Sequence, residues 1–502
     1  MSKNLLRSAL TVTALGIVTR GLSFLFRIYL SRKIGAENLG VYQIALSVFF
    51  LFATLSSGLP LTLSRKTAQL QALNRSNEYK SYMSATLILG VGISFAITLL
   101  LYAFAPHLDF LFSDDRCKGL FLLLIPCCIS TSIYGIVRGW FWGNRKYEVF
   151  AFTEFFECVV RILLGVLFVS GIIDGLGGAK GTAISFTISD YFCTGLIALL
   201  FFVFGGRLAK PREYGKIVKT ALPLTAVRLY NSLINSLIAI IVPSILISIG
   251  LSKGEAMGEY GRMMGMALPL VLTPTMLTGA LNTVLVPEIA SLNAKGDKEN
   301  LVKKIKGSLS ICVFCALAFT VIFIPLGEKI GAFFYDDPTS GRYVSVASNM
   351  IVSVVLSGVT STIMDSLGLE VKTMKNFIIS SLFLVGSLVI ASRFIGVYAI
   401  IVSYLISYGV TTILNLKAIK KALKINYKGL FSSSIIQSII SIIATFGVSF
   451  VTRLTNSLPL ILNIVIPSIF GVAFFVIANI ALGEIDLSGF VSKNKKSVKK
   501  PT

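Results

Sequence analysis

The stretch "LGIVTRGLSFLFRIYL", residues 15–30, is apolar enough to enter a bilayer, yet it holds Arg20 and Arg27 in its interior. An arginine at the centre of an inserted helix costs about 2.5 kcal/mol or more, so two in one span need a reason. The neighbouring sequence supports the span reading. Apolar runs recur at 8–30, 41–63, 82–104, 119–141, 149–172, 181–204, 217–249, 259–288, 308–326, 343–366, 376–394, 396–416, 429–452 and 458–482. Most approach or exceed the roughly 20 residues that a helix needs to cross the hydrocarbon core. They are long and do not alternate, and lipid requires internal satisfaction of every backbone group, so helices are expected. The expected fold is an all-α polytopic membrane protein of about 14 transmembrane helices.

Composition agrees. The 502 residues are 55% hydrophobic and only 14% charged, with a mean hydropathy of +0.82. The formal net charge of +23 would suggest nucleic acid in a soluble domain. Here the basic residues cluster in alternate short loops, such as "SRKTAQLQALNRSNEYK", "AKGDKENLVKKIK" and the tail "SKNKKSVKK". That is the pattern of topology determinants facing anionic headgroups, and it argues against nucleic acid as a partner. Roughly 30 of the 46 Lys and Arg fall on one side and about 10 on the other. With an even number of spans, both termini are expected in the cytoplasm and the chain in the cell membrane. Nothing resembles a cleaved signal peptide.

The chain also resembles itself. "HLDFLFSDDRCKGLF" echoes "KIGAFFYDDPTSGRY", and "LGVYQIALSVFF" echoes "MGEYGRMMGMALPL", both at an offset of about 220 residues. A shared offset on the same side of the membrane predicts a parallel repeat of two six-helix lobes around a cavity that opens to either side. The expected organisation is an N-lobe over 1–206, a C-lobe over 207–424, two additional helices over 425–484 and a basic cytoplasmic tail over 485–502.

Charges inside the spans carry the functional reading. Arg20 and Arg27 are seven apart and share a helical face. Arg65 closes the second span in "GLPLTLSRK", and Arg228 sits in the seventh, in "ALPLTAVRLYNSLINSL". Glu157 and Arg161, spaced i,i+4 in the fifth span, read as a structural or coupling pair. Guanidinium keeps its charge and meets phosphate oxygens in bidentate fashion, so the arginines point to an anionic, phosphate-bearing substrate. Pro269, Pro274, Gly279 and Pro287 interrupt the eighth span, either as hinges or as fixed kinks. Six of the seven cysteines lie in apolar stretches and read as small hydrophobes, Cys312 and Cys315 included. Cys117 is expected in a loop, as is His107, the only histidine. No catalytic residue, metal site or cofactor is assigned.

The blocks "GIVTRGLSFLFRIYLSRKIGAENLGVYQ", "SGLPLTLSRKTAQ", "IVRGWFWGNRKY", "TEFFECVVRI" and "YGRMMGMALPLVLTPTMLTGALNTVLVPEIA" resemble successive blocks of the stage V sporulation protein B family. That family sits in the polysaccharide transporter branch of the multidrug/oligosaccharidyl-lipid/polysaccharide exporter superfamily, with the lipid II flippase MurJ as a more distant relative. The resemblance spans about residues 8–420. It implies fourteen helices and an undecaprenyl-pyrophosphate-linked glycan turned from the inner to the outer leaflet. It also implies a cationic cavity formed by positions matching Arg20, Arg27, Arg65 and, more loosely, Arg228. The first-helix arginines stand seven apart here and six apart in MurJ proper. Sodium or membrane potential is expected to drive the relatives, and Asn231, Asn235 and Asn376 are candidate oxygen ligands for a coupling Na+, with H+ the other candidate ion. The family name implies spore cortex synthesis at a forespore membrane, with cell-wall synthesis proteins as candidate partners.

The leading expectation is thus a flippase for a lipid-linked peptidoglycan precursor, and not an enzyme. Export of another lipid-linked oligosaccharide is the nearest alternative. A drug/cation antiporter fits the arginines poorly, since it calls for carboxylates and aromatics. An integral-membrane transferase would rest on Asp114–Asp115 and Asp336–Asp337, which read instead as helix-end or turn residues. A non-transporting cell-wall scaffold would tolerate charge reversal at Arg20 or Arg228.

Overall fold

The computed structural model describes residues 3–73, 76–170 and 177–484, and every regular element among them is helical. The basic tail 485–502 and the short loop segment 171–176 lie outside the described residues. The chain packs as two compact units, Met1–Gly261 and Arg262–Thr502.

The first unit holds α1 (Lys3–Ala53), α2 (Gly58–Ala72), α3 (Ser76–Ala103), α4 (Asp115–Leu124), α5 (Cys127–Gly143), α6 (Tyr147–Val169), α7 (Gly178–Val203), α8 (Tyr214–Ser248) and α9 (Lys253–Tyr260). A π-helical segment, Gly261–Ala267, follows. Then come α10 (Leu268–Val271), α11 (Pro274–Ala294), α12 (Lys298–Tyr335), α13 (Pro338–Ala347), α14 (Ile351–Ser366), α15 (Glu370–Ile395), α16 (Ala399–Leu423), α17 (Lys428–Leu454) and α18 (Leu460–Ala481).

Among the described residues, nine helices are long and apolar enough to cross a membrane, or ten with α4 and α5 taken as one span bent by 45°. Pro126, at the joint of that pair, accounts for the bend. Two of the nine are double length. Thr11–Ala72 has 62 residues, or about 93 Å of helix against a core of about 30 Å. It breaks at Gly35, where φ 75° and ψ 170° suit only glycine. Glu370–Leu423 has 54 residues and breaks at Gly396. Of the remaining expected runs, α6 carries Glu154, Glu157 and Arg161, and the eighth is divided among α9, the π segment, α10 and α11. Each of the fourteen expected runs overlaps a described helix, and the last two residues of the fifth, 171–172, lie outside the described residues.

In the first unit Leu59, Leu63, Met83, Ile136, Trp140, Phe141 and Phe201 form a buried core. It brings α2, α3, α5 and α7 together. Backbones approach closely where α5 crosses α2: a Cβ at Gly139 would lie 2.3 Å from the Pro60 carbonyl oxygen. Helix α8 packs on α1 and α2. Its Thr225 Oγ1 accepts from the Gly58 amide at 3.2 Å, and Ser236 Oγ donates to the Ser47 carbonyl at 2.8 Å. Packing thus keeps α8 and α9 with the first unit, whereas counting by repeat begins a second lobe at 207. The two divisions follow different physics: one tracks sequence duplication, the other tracks which faces are buried. In the second unit α17 and α18 pack on α12, with Phe314 and Phe475 stacked at 5.0 Å.

The repeated acidic loops have matching roles. Asp114 caps α4 and Asp337 caps α13 through side-chain acceptance of backbone N–H groups. Each is held by an arginine: Arg116 reaches Asp114 at 2.7 Å and also Glu37 at 2.7 Å, and Arg262 reaches Asp337 at 2.8 Å. These aspartates are helix-end residues. Cys117 differs from its expected loop position. The Asp114 cap starts α4 at Asp115, which places Cys117 inside the helix and fully buried.

Candidate functional site

The Thr19–Ser23–Phe26 stripe of α1 lies on α6. Ser23 Oγ meets Cys158 Sγ at 3.3 Å, and a Cβ at Gly165 would strike the Phe26 ring. Arg20 and Arg27 lie on one flank of that stripe, as their seven-residue spacing requires. Their surroundings differ. Arg20 is exposed and forms neither an ion pair nor a hydrogen bond among the described residues. Arg27 is half-buried, and with Arg161 it lies within electrostatic range of the buried Tyr42 hydroxyl.

Arg65 on α2 is also exposed and without such partners among the described residues. Arg228 on α8 is exposed, and its Nη1 donates to the Ser57 carbonyl at 3.1 Å, just before α2 begins. The guanidinium is thereby tethered to α2 through a neutral acceptor and keeps its charge uncompensated.

Glu157 and Arg161 do form an i,i+4 ion pair on α6. Arg161 further donates from Nε to Ser189 Oγ at 3.2 Å and lies 4.6 Å over the Phe186 ring. On α7, next to Ser189, the buried Asp190 accepts from Ser130 Oγ and, at 3.4 Å, from Thr131 Oγ1. This polar knot joins α5, α6 and α7.

The asparagines do not share one environment. Asn231 and Asn235 are exposed on α8, and the Asn231 amide donates to the Val227 carbonyl of its own helix at 3.0 Å. Asn376 belongs to the second unit. Its amide donates to Asn415 Oδ1 at 2.9 Å, and Asn415 donates in turn to Thr360 Oγ1 at 3.2 Å and Ser361 Oγ at 3.0 Å.

One guanidinium escaped the sequence reading. Arg138 on α5 stacks 3.8 Å from the Phe150 ring centroid and 5.1 Å from that of Trp142. The signal was present as an arginine four residues before a tryptophan, a spacing that places both on one helical face. It was hidden because the pair lies near the end of its span, where basic residues and tryptophan are ordinary interface anchors.

This geometry has solved counterparts. The chain is similar in fold to the lipid II flippase MurJ in an inward closed conformation, with a TM-score of 0.70 and 17% identity over 93% of this chain and 98% of that one. An inward-facing multidrug resistance MATE family transporter of the MOP superfamily matches with a TM-score of 0.69 and 15% identity, over 83% of this chain and 99% of that one. The chain belongs to the polysaccharide biosynthesis protein family, whose family model matches residues 5–293. It is 24% identical over 439 residues to stage V sporulation protein B of Bacillus subtilis (strain 168), covering 84% of this chain and 85% of that protein.

Proposed function

We propose that the protein is a flippase that moves an undecaprenyl-pyrophosphate-linked glycan from the inner to the outer leaflet by alternating access. The observation that carries the reading is the set Arg20, Arg65 and Arg228. Arg20 and Arg228 stand within apolar helices and Arg65 at the close of an apolar run, all in one unit, exposed and without a carboxylate partner among the described residues. Permanent cations so placed are costly unless water and a mobile anion answer them. Planar N–H forks suit the oxygens of a pyrophosphate. Arg27, seven residues beyond Arg20 on the same flank of α1 and half-buried, extends the same cationic face.

The likeness to MurJ and to a sporulation protein favours lipid II or a related peptidoglycan precursor, used for the spore cortex at a forespore membrane. Both termini are cytoplasmic in this reading, and a Na+ or H+ gradient or the membrane potential drives the cycle. The test is movement of lipid II in proteoliposomes, wild type against Arg20→Ala and Arg228→Ala at matched protein. Wild type is expected to flip, and each variant to fall at least about tenfold, the cost of a lost charged hydrogen bond. Flipping that survives both substitutions overturns the anion site. A wild type that moves another polyprenyl-linked glycan but not lipid II overturns the peptidoglycan assignment alone.

A further inference from the structure

We propose that Arg138 is a further substrate-binding residue, a ring-stacked guanidinium on α5 that shares a phosphate group with Arg228. The inference rests on the flippase reading above and adds a residue to its site.

The rings of Phe150 and Trp142 lie against the guanidinium at 3.8 and 5.1 Å. Stacking engages the face of the group and leaves its five N–H donors pointing outward in the plane. Among the described residues none of those donors makes a hydrogen bond, and no carboxylate comes within ion-pair distance. A half-buried guanidinium fixed in orientation, with its donor edge uncommitted, is costly for folding and suited to binding.

Its neighbours explain which ligand it suits. Glu154 and Glu157 attract Arg138 from α6, and Arg228 repels it from α8. Both arginines are fixed to the same short stretch of chain. Arg228 donates to the Ser57 carbonyl, and Gly139, next to Arg138, seats against Pro60. The Arg228 guanidinium and the backbone beside Arg138 thus both contact residues 57–60, and a phosphate oxyanion that reaches both arginines relieves their repulsion. The stack rigidifies one member of the pair, so little side-chain freedom is lost when the anion arrives.

The chain carries its own reporter. Only two tryptophans are present: Trp140 is buried, and Trp142 is partly exposed beside Arg138. Full-length protein in detergent is titrated with farnesyl pyrophosphate, with farnesol and inorganic pyrophosphate as controls, following tryptophan emission and calorimetric heat. Wild type is expected to bind farnesyl pyrophosphate saturably and farnesol not at all, with inorganic pyrophosphate competing. Arg138→Gln is expected to weaken binding at least about tenfold and to abolish the emission change. Arg138→Lys, which keeps the charge without the planar fork, is expected to fall in between.

Arg138→Gln binding like wild type while Arg228→Ala is weakened overturns this inference and leaves the flippase reading standing. Wild type that binds no pyrophosphate overturns both. Should Arg138→Gln fail to fold, Arg138→Lys decides: affinity within twofold of wild type overturns the stacked-fork account.

Discussion

Asn415 is buried in the second unit with both ends of its amide engaged, by Asn376 on one side and by Thr360 and Ser361 on the other. Asn415→Ala removes the acceptor of the Asn376 amide and the donor to two hydroxyls, which keep their bonds to the Leu356 and Ser357 carbonyls, a loss of about 1–3 kcal/mol. A lower thermal unfolding midpoint in detergent is expected, and a midpoint within error of wild type would sink this view of the network. That network also limits what the sequence disclosed. An asparagine in a span reads equally as an ion ligand or a structural bond, because only the packed partner distinguishes them. Arg20 and Arg228 were legible since a charge deep in an apolar run is costly wherever the chain folds. Arg138 was not, since its meaning depends on Phe150, which lies twelve residues on and on another helix.

Elements were the most legible level, because a bilayer imposes a length that any apolar run must meet. Their ends were less so, being set by caps. Burial raises the Asp114 carboxyl, but side-chain and backbone hydrogen bonds from Arg116 outweigh it and hold the group below its usual 3.8. A carboxyl depressed in the folded state stabilises above its unfolded pKa and loses that contribution as pH falls through the folded value. The first turn of α4 is therefore expected to stay protected from amide exchange at pH 5 and to loosen only well below 3.8. In Asp114→Asn the acid-dependent step should vanish; its persistence would assign the step to another group. Where α5 crosses α2, Gly139→Val forces a Cβ into the Pro60 carbonyl, with an expected cost of about 1–3 kcal/mol. Unchanged unfolding of that variant would show that the crossing relaxes freely.

At the scale of the whole molecule, two echoes at a common offset suggest a duplication with a boundary near 207, whereas the packing division falls at Gly261. Which unit claims α8 depends on buried hydroxyl and amide contacts that no periodicity encodes. Thr54 and Ser232 meet at 2.8 Å between the end of the α1 run and α8. A Thr54→Cys/Ser232→Cys pair is expected to cross-link under mild oxidant and to leave lipid II flipping intact, since both positions belong to one unit. Loss of flipping on cross-linking, restored by reductant, would mean that α8 moves against α1 during transport.

The single-residue corner at Gly35 reaches back to how the chain is made. With no loop between the first two helices, neither can settle in the bilayer before the other, and they must enter together as a hairpin. In the proposed orientation with cytoplasmic termini, Arg32 and Lys33, immediately before the corner, have to be carried across on the strength of the second helix. Ribosome-bound chains cut short before residue 53 are therefore expected to leave the first helix accessible to protease in a translocation assay, and chains carrying both helices to protect it.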